Sequence, residues 1–381
     1  MSTPSLGLAS AQTVAPKLAL NFATGSLDSR ITFTRATSAS NPATFVNSSG
    51  VLTSATNNQA RFDYDPSTLA CKGLLIEESR TNFVSGVDFV NPTSTTGWTL
   101  FGEAAATLSV VTDTTELTAA GLSGICTSGK VYKVDNSAGV NSAYARVDAG
   151  FTMGTSNCAF SAYVRGSGTF RFDLNVGTWN GNITKTLTSG YTRQSVVGAS
   201  NTSSNQFRFR VYPGSVMYFI LVQGEVGSFP TSVIPLTGTA LTRNADVAVM
   251  TGTNFSDWFN ASKGTFRVDA FSPAVGTRCL LSVDDNTANN SQVVITDATA
   301  PKFIVKQGGA EQANVTAGTV VANAAMFAYV SYDTNCFGIA RPTARQVDTS
   351  GTIPTVDRMR IGVDQAGNYA NGQIQAISFW P

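Results

Sequence analysis

The chain contains no histidine among its 381 residues. Without an imidazole it cannot use Ser-His-Asp or Cys-His catalysis, a histidine-ligated zinc ion or the ordinary neutral-pH proton shuttle. Its five cysteines are odd in number and show no CxxC spacing, which favours buried small apolar residues over a disulfide framework or a metal site. Most common classes of enzyme are therefore excluded, and no catalytic activity is expected.

Charged residues are also scarce. They make up 13% of the chain, with 25 Lys and Arg against 24 Asp and Glu, so the net charge is only +1. This balance disfavours binding to nucleic acid through bulk charge. No apolar run reaches the roughly 18 residues of a membrane span, and no basic flank precedes an apolar run at the start. We therefore expect no membrane insertion.

What dominates instead is the alternation of apolar and polar residues, which predicts an all-β fold. Strands of this kind recur without intervening helices, a pattern typical of β-sandwiches and jelly rolls. Two prolines at 229–235 would interrupt a central strand and favour a domain junction there. The expected organisation is an attachment arm at 1–16, framework strands at 17–82, a jelly roll at 83–238 and a second sandwich at 239–381. We expect the framework strands to pack with the second sandwich, since strands near both termini often pair.

Four segments have distinctive sequences beyond their periodicity. They are LDSRITFTRATSA at 27–39, RFDYDPSTLACKGLLIEESRTN at 61–82, FPTSVIPLTGTALTRNADVAVMTG at 229–252 and NGQIQAISFWP at 371–381. In these segments the chain resembles bacteriophage virion proteins of the head- or tail-fibre and spike family. The resemblance implies a carbohydrate-binding-module-like jelly roll in the centre and a laminin-G or concanavalin-A-like sandwich at the C-terminal end. It also implies a homotrimer on the virion, assembled in the cytoplasm of a bacterial host.

The predicted function is attachment of the particle to host-surface glycan, with the arm at 1–16 contacting other virion proteins. Weak contacts to a neutral glycan would be multiplied by the copies on one particle. Two alternatives remain open at this stage. One is a purely structural collar or decoration protein that contacts only virion proteins. The other is a polysaccharide-cleaving depolymerase that uses carboxylates such as Asp173, Glu225 or Asp269.

Glycan binding requires aromatic faces beside planar amides, carboxylates and arginines. Trp179 lies in a turn-rich segment where an indole is difficult to bury. The neighbouring strand has a polar face of Arg171, Asp173 and Asn175, and Tyr163 comes from a nearby strand. These five residues form the predicted glycan site. In the alternative interpretation Trp179 caps the sandwich edge and the polar face is solvated. Trp98 is expected in the core.

Two acidic segments suggest other chemistry. Glu77 and Glu78 are paired acids of the kind that glycoside hydrolysis needs, but adjacent strand residues point to opposite faces. Ion pairing with an arginine such as Arg80 is therefore expected. Asp284, Asp285 and Asn286 could supply oxygen ligands to calcium, although they lack EF-hand spacing. The alternative is an ordinary β-turn rich in Asp and Asn, and no other cofactor is expected.

Overall fold

A computed structural model of the protein describes residues 14–149, 157–175, 179–199, 205–272, 275–322 and 324–381. Strand residues 148, 149, 174, 175, 179–182, 199, 205, 206 and 272 are described by their backbone alone. Across these residues the chain is all-β and built from antiparallel sheets, as predicted. The described part of the chain contains no helix long and apolar enough to cross a membrane.

Residues 14–82 contribute seven short strands and one 3₁₀ turn at Phe22–Thr24. The strands are β1 (Leu18–Asn21), β2 (Thr32–Thr34), β3 (Thr44–Val46), β4 (Leu52–Ser54), β5 (Phe62–Tyr64), β6 (Cys71–Ile76) and β7 (Arg80–Asn82). Most of the predicted arm lies outside the described residues. The arm's last residues lie beside the end of the chain, where the Trp380 indole donates to the Val14 carbonyl oxygen at 2.9 Å.

The central part of the chain forms ten strands and a short helix. They are β8 (Trp98–Gly102), β9 (Thr107–Thr112), α1 (Thr114–Ala119), β10 (Lys130–Asn136), β11 (Ala143–Ala149), β12 (Asn157–Ser167), β13 (Thr169–Asn175), β14 (Trp179–Thr186), β15 (Thr192–Ala199), β16 (Asn205–Val211) and β17 (Ser215–Val226). Two five-stranded sheets result. The β16 sheet has the order β14-β13-β16-β11-β8, and the β17 sheet has the order β15-β12-β17-β10-β9.

These two sheets form the central sandwich, and its core is rich in aromatic rings. Trp98 is buried, as predicted, and its ring centroid lies 5.0 Å from that of Phe219 in an edge-to-face arrangement. Such aromatic pairs add about 0.5–1.5 kcal/mol beyond their buried area. Cys158, Phe160, Ala162 and Val164 are buried along β12. The alternation seen in the sequence therefore marks the inner face of this strand.

The C-terminal part adds twelve strands and one helical turn. They are β18 (Leu241–Arg243), β19 (Val247–Thr251), α2 (Thr253–Ser256), β20 (Gly264–Ser272), β21 (Arg278–Asp284), β22 (Ser291–Thr296), β23 (Pro301–Gln307), β24 (Ala310–Thr316), β25 (Ala324–Asp333), β26 (Cys336–Arg341), β27 (Ala344–Asp348), β28 (Arg358–Ile361) and β29 (Gly372–Trp380). The β29 sheet has the order β27-β26-β25-β20-β29-β6-β5, with β1 also paired to β29. The β28 sheet has the order β2-β19-β28-β21-β22-β23-β24.

The β29 and β28 sheets form the terminal sandwich, which includes strands from both ends of the chain. Leu18 lies opposite Phe379 in the β1–β29 pair. Gly73 of β6 lies so close to β29 that an added Cβ would be 2.4 Å from the Ile374 carbonyl oxygen. Leu18, Leu74 and Phe379 belong to one buried core. The terminal sandwich thus needs the framework strands in order to close.

Two local expectations need correction. Apolar–polar alternation predicts that Ile374 and Ala376 share the buried face of β29. A bulge between them reverses the alternation, so that Ala376 is half-buried and Ile377 is fully buried. Cys336 is exposed at the start of β26, whereas Cys126, Cys158 and Cys279 are buried as expected.

Candidate functional site

The outer face of the β16 sheet combines arginine and aromatic side chains. The inner face of this sheet carries Phe170, Phe172, Phe207 and Phe209, all buried. Because successive strand residues point to opposite faces, the residues between these phenylalanines lie outside. We define the arginine–aromatic face by Phe101, Tyr144, Arg146, Arg171, Asp173, Arg208 and Arg210.

Cross-strand register arranges this face as two rows. The first row, in strand order, contains Phe101, Tyr144, Arg210 and Arg171. The second row contains Arg146, Arg208 and Asp173. Directly opposed residues in an antiparallel pair have Cβ atoms about 4.5–5.5 Å apart. Each row is therefore a continuous line of side chains across the sheet.

Asp173 organises the arginines of the face. Its carboxylate is buried and accepts from Arg171 Nε at 2.5 Å, Arg208 Nε at 2.9 Å and Arg210 Nε at 3.2 Å. A carboxylate removed from water needs such charged partners to offset its desolvation. One carboxylate among the described residues thus pairs with three arginines.

The aromatic rings hold the guanidinium groups in place. Phe101 and Tyr144 stack with ring centroids 5.1 Å apart and planes at 13°. The guanidinium carbons of Arg208 and Arg210 lie 4.6 and 4.7 Å from the Tyr144 centroid, and that of Arg146 lies 5.6 Å from the Phe101 centroid. Cation–π contact is favourable at these distances. The face therefore presents pre-ordered planar donors beside an aromatic surface, which suits a ring-shaped ligand that carries an anionic group.

The predicted glycan residues fall in two places. Arg171 and Asp173 belong to the arginine–aromatic face. The backbones of Asn175 and Trp179 pair across β13 and β14, but their side chains lie outside the described part of the structure. Tyr163 is on β12 of the other sheet, where it lines a separate pocket. The structure thus brings Arg171 and Asp173 together and leaves Tyr163 apart from them.

Several residues of the arginine–aromatic face were not predicted from the sequence. Arg208 and Arg210 alternate with buried Phe207 and Phe209 in β16, and Tyr144 alternates with buried Ala145 in β11. Alternation alone could have placed each of these residues on an outer face. It could not show that β16 lies between β13 and β11, because strand order is not encoded in periodicity.

A second polar cluster lies between the two sandwiches and is fully enclosed. We define the junction network by Arg35, Arg61, Glu77, Arg243 and Asp246, whose side chains are at most 5% exposed. Arg35 Nη1 lies 2.6 Å from Asp246 Oδ1, and Arg61 also pairs with Asp246.

Glu77 is the other acid of the junction network. Its Oε2 lies 2.8 Å from Arg61 Nη2 and 3.3 Å from Arg243 Nη1. Ser232, from the segment that follows the central sandwich, donates its backbone N–H to Glu77 Oε1 at 2.7 Å. Burial alone would raise the pKa of Glu77, but the charges of Arg243 and Arg61 outweigh it and lower that pKa to about 2. Glu78 pairs instead with Arg80, so both acids form ion pairs, as predicted.

The proposed calcium ligands are engaged by protein groups. Asp284 is buried, and its Oδ2 accepts from Arg360 Nε at 3.2 Å and from the Ser282 hydroxyl at 2.8 Å. Asp285 accepts from Thr287, and Asn286 Oδ1 accepts from Arg360. Within the described ranges no three His, Cys, Asp or Glu side chains are grouped to hold a metal ion. This geometry fits the turn interpretation better than a calcium site.

No protein-family model matches the chain, and no curated protein matches its sequence. Among solved structures, the CBM40 module of the Ruminococcus gnavus IT-sialidase bound to α2,3-sialyllactose is 12% identical, with a TM-score of 0.29 over 33% of this chain and 80% of that chain. The CBM22 tandem of Paenibacillus barcinonensis Xyn10C is 8% identical, with a TM-score of 0.30 over 80% of this chain and 99% of that chain.

A third similar structure comes from an animal protein. The LG4-5 domains of the mouse laminin α1 chain are 9% identical, with a TM-score of 0.23 over 59% of this chain and 81% of that chain. At these identities and TM-scores the similarities assign neither a family nor a ligand to the chain. Its function has to be argued from its own side chains.

Proposed function

We propose that this protein is an appendage of a bacteriophage particle and binds acidic glycan on the host surface through the arginine–aromatic face. The observation that carries the binding part is the cluster around Asp173. Three arginines share one carboxylate there, beside the stacked rings of Phe101 and Tyr144. Aromatic faces pack against the apolar faces of sugar rings. Guanidinium groups match carboxylates in a two-bond geometry.

The charge of this face favours an acidic glycan over the neutral one expected from composition. Three of its arginines, Arg171, Arg208 and Arg210, surround the carboxylate of Asp173. The carboxylate of a uronic or sialic acid residue would pair with these guanidinium groups, and its ring would pack on the stacked rings of Phe101 and Tyr144.

The particle assignment is supported by the four segments that resemble virion proteins. Residues from three of them meet in the junction network: Arg35, then Arg61 and Glu77, then Arg243 and Asp246. The fourth segment forms β29, which pairs with β1, β6 and β20. These segments therefore build one frame that joins the two sandwiches. A rigid frame of this kind suits a protein that presents a binding face away from its anchor.

We propose binding without catalysis, in a trimer whose copies add avidity. The three carboxylates considered for cleavage are each held by other groups. Asp173 is enclosed by arginines, Glu225 is buried and accepts from the Thr231 backbone at 2.9 Å, and Asp269 pairs with Arg267 at 2.8 Å. A depolymerase acid would need access to a glycosidic oxygen. The arrangement supports structural roles for these acids.

The test is binding of the purified protein to immobilised acidic surface polysaccharide of the host, comparing wild type with Arg210→Ala. We expect a loss of about tenfold or more in affinity, since a charged hydrogen bond contributes about 1.5–3 kcal/mol. Arg267→Ala is the matched control, because Arg267 also pairs with an aspartate and lies 5.6 Å from the Tyr329 ring centroid on the β29 sheet. Equal binding by wild type and Arg210→Ala would reject the face, and a wild-type protein that does not bind the polysaccharide would favour the structural collar role.

A further inference from the structure

A second concave site lies where the framework strands, the central sandwich and the terminal sandwich meet. This junction pocket encloses about 320 Å³, within the range of small-molecule sites. Each part of the chain contributes to its lining. The framework supplies Phe45, Asp63 and Lys72, the central sandwich supplies Tyr163 and Arg193, and the terminal sandwich supplies Phe271 and Gln373. The pocket is on the opposite sheet of the central sandwich from the arginine–aromatic face.

Gln373 is the residue that points to a ligand. It is only 7% exposed, and its Nε2 donates to Asp63 Oδ2 at 2.9 Å. Its Oε1 is buried and has no hydrogen-bond partner among the described residues. A buried amide oxygen left without a donor is costly. A hydroxyl group in the pocket would satisfy it.

Arg193 has an unused hydrogen-bond donor, the complement of the unused acceptor on Gln373. Its terminal nitrogens are used, with Nη1 donating to the Thr231 carbonyl at 2.7 Å and Nη2 donating to the Ser161 hydroxyl at 3.0 Å. Its Nε is buried and unpartnered within the described part of the chain. Two residues that line the pocket therefore carry one unused acceptor and one unused donor, and a hydroxyl group can serve either of them.

The charged and aromatic residues of the lining further limit the chemical class of the ligand. Lys72 Nζ lies 3.7 Å from Asp63 Oδ2, and it also lies 5.5 Å from the Phe271 ring centroid. Asp63 and Glu77 balance Lys72 and Arg193 among the described lining residues. A balanced lining gives no preference for a charged ligand. Phe45, Phe271 and Tyr163 offer apolar surface for a ring.

From this combination we propose that the junction pocket binds one neutral, polyhydroxylated ring of monosaccharide size. Hydroxyl groups of the ring accept from Arg193 and donate to Gln373, and Lys72 and Asp63 engage further hydroxyls at the mouth. The ring packs against the aromatic lining. Such a ring could be a free sugar or the terminal residue of an oligosaccharide. This site is independent of the proposed acidic-glycan face, and either one can fail without the other.

The test is saturation-transfer NMR on the full chain with a panel of glucose, galactose, mannose and their methyl glycosides, followed by titration of any ligand found. We expect a dissociation constant of about 1 mM, which corresponds to a binding free energy of about −4 kcal/mol. Binding of this strength is at the weak end of specific recognition. Gln373→Met keeps the side-chain volume and should weaken binding tenfold or more. Lys72→Met changes a partly exposed residue at the mouth and should weaken it several-fold, which keeps the test valid if Gln373→Met does not fold.

Arg210→Ala, on the arginine–aromatic face, should bind the same sugar as tightly as wild type does. Binding of the methyl glycosides as well as the free sugars would indicate that the terminal residue of a chain fits. The proposal is overturned if no member of the panel binds wild type, or if folded Lys72→Met and Gln373→Met bind it unchanged. Equal loss of sugar binding in Arg210→Ala would overturn it too, because the sugar would then occupy the other face.

Discussion

Arg35 and Asp246 lie 211 residues apart in the chain, and their side chains form a fully buried ion pair with 2.6 Å between Nη1 and Oδ1. Asp246 also pairs with Arg61, and its Oδ2 accepts from the Glu77 backbone N–H at 2.9 Å. One carboxylate therefore links the segments that follow β2 and β6 to those that precede β5 and β19. Loss of this single group should affect the frame as a whole.

Asp246→Asn should destabilise the protein strongly. The change leaves Arg35 and Arg61 buried without full compensation, and breaking a buried pair in this way costs about 3–5 kcal/mol. Asp28→Asn is the control, since Asp28 pairs with Arg30 on the surface, where the two side chains are 27% and 34% exposed and such a pair contributes at most about 1 kcal/mol. Denaturant titration measures both changes. Similar losses of unfolding free energy in the two variants would show that the junction network does not stabilise the frame.

Glu77 should make the protein sensitive to acid. Its pKa falls from the ordinary 4.5 to about 2 in the folded state, so its charge stabilises the fold above about pH 4.5 and this contribution disappears as the pH drops toward 2. At about 1.4 kcal/mol per pKa unit the contribution is about 3 kcal/mol. Glu77→Gln should remove this part of the pH dependence of the unfolding free energy, whereas Glu78→Gln should retain it. An unchanged pH dependence in Glu77→Gln would contradict the assignment.

The last strand should be essential for stability. Phe379 is fully buried, lies opposite Leu18 in β1 and packs 4.7 Å from Phe266 between ring centroids. Phe379→Ala should cost about 3–5 kcal/mol, the usual range for emptying a large aromatic site in a core. Val347→Ala is the control, because Val347 is 52% exposed and its loss should stay within about 0.5 kcal/mol. Thermal unfolding measures the stability of both variants. Equal shifts in their unfolding temperatures would argue against a core shared by β1 and β29.

The salt dependence of ligand binding should differ between the two proposed sites. Raising NaCl from about 0.1 M to about 1 M shortens the Debye length from about 10 Å to about 3 Å. Binding of acidic glycan to the arginine–aromatic face should weaken several-fold over this range, whereas binding of a neutral sugar in the junction pocket should change little. Titrations at the two salt concentrations provide the measurement. Salt-independent binding of the acidic glycan would show that its carboxylates do not contact the arginines.

The sequence predicted the class of fold well because alternation reports burial strand by strand. Leu18 and Leu20 face the core and Ala19 does not, as the pattern in β1 requires. The pattern failed at the bulge in β29, since one extra residue reverses every later position. Pairing between β1 and β29 spans almost the whole chain, and no local pattern specifies a partner that far away.

The candidate site was only partly visible in the sequence. Arg171 and Asp173 stood out because they lie on the polar face of a predicted strand next to Trp179. Arg208, Arg210 and Tyr144 come from strands that are distant in sequence, and only the sheet order places them beside Asp173. Nothing in the sequence marked Gln373 as a candidate site residue. An amide oxygen without a hydrogen-bond donor is recognised only when the residues around it are known.

The central claim is that the arginine–aromatic face binds acidic glycan without cleaving it. The most direct measurement is size-exclusion chromatography with light scattering on wild-type protein mixed with the acidic surface polysaccharide of the host, run beside the same polymer with its carboxyl groups reduced to alcohols. We predict that the protein co-elutes with the acidic polymer, that the polymer keeps its length, and that the reduced polymer elutes alone. Shortened polymer, equal binding to both polymers or an unshifted protein peak would contradict the account.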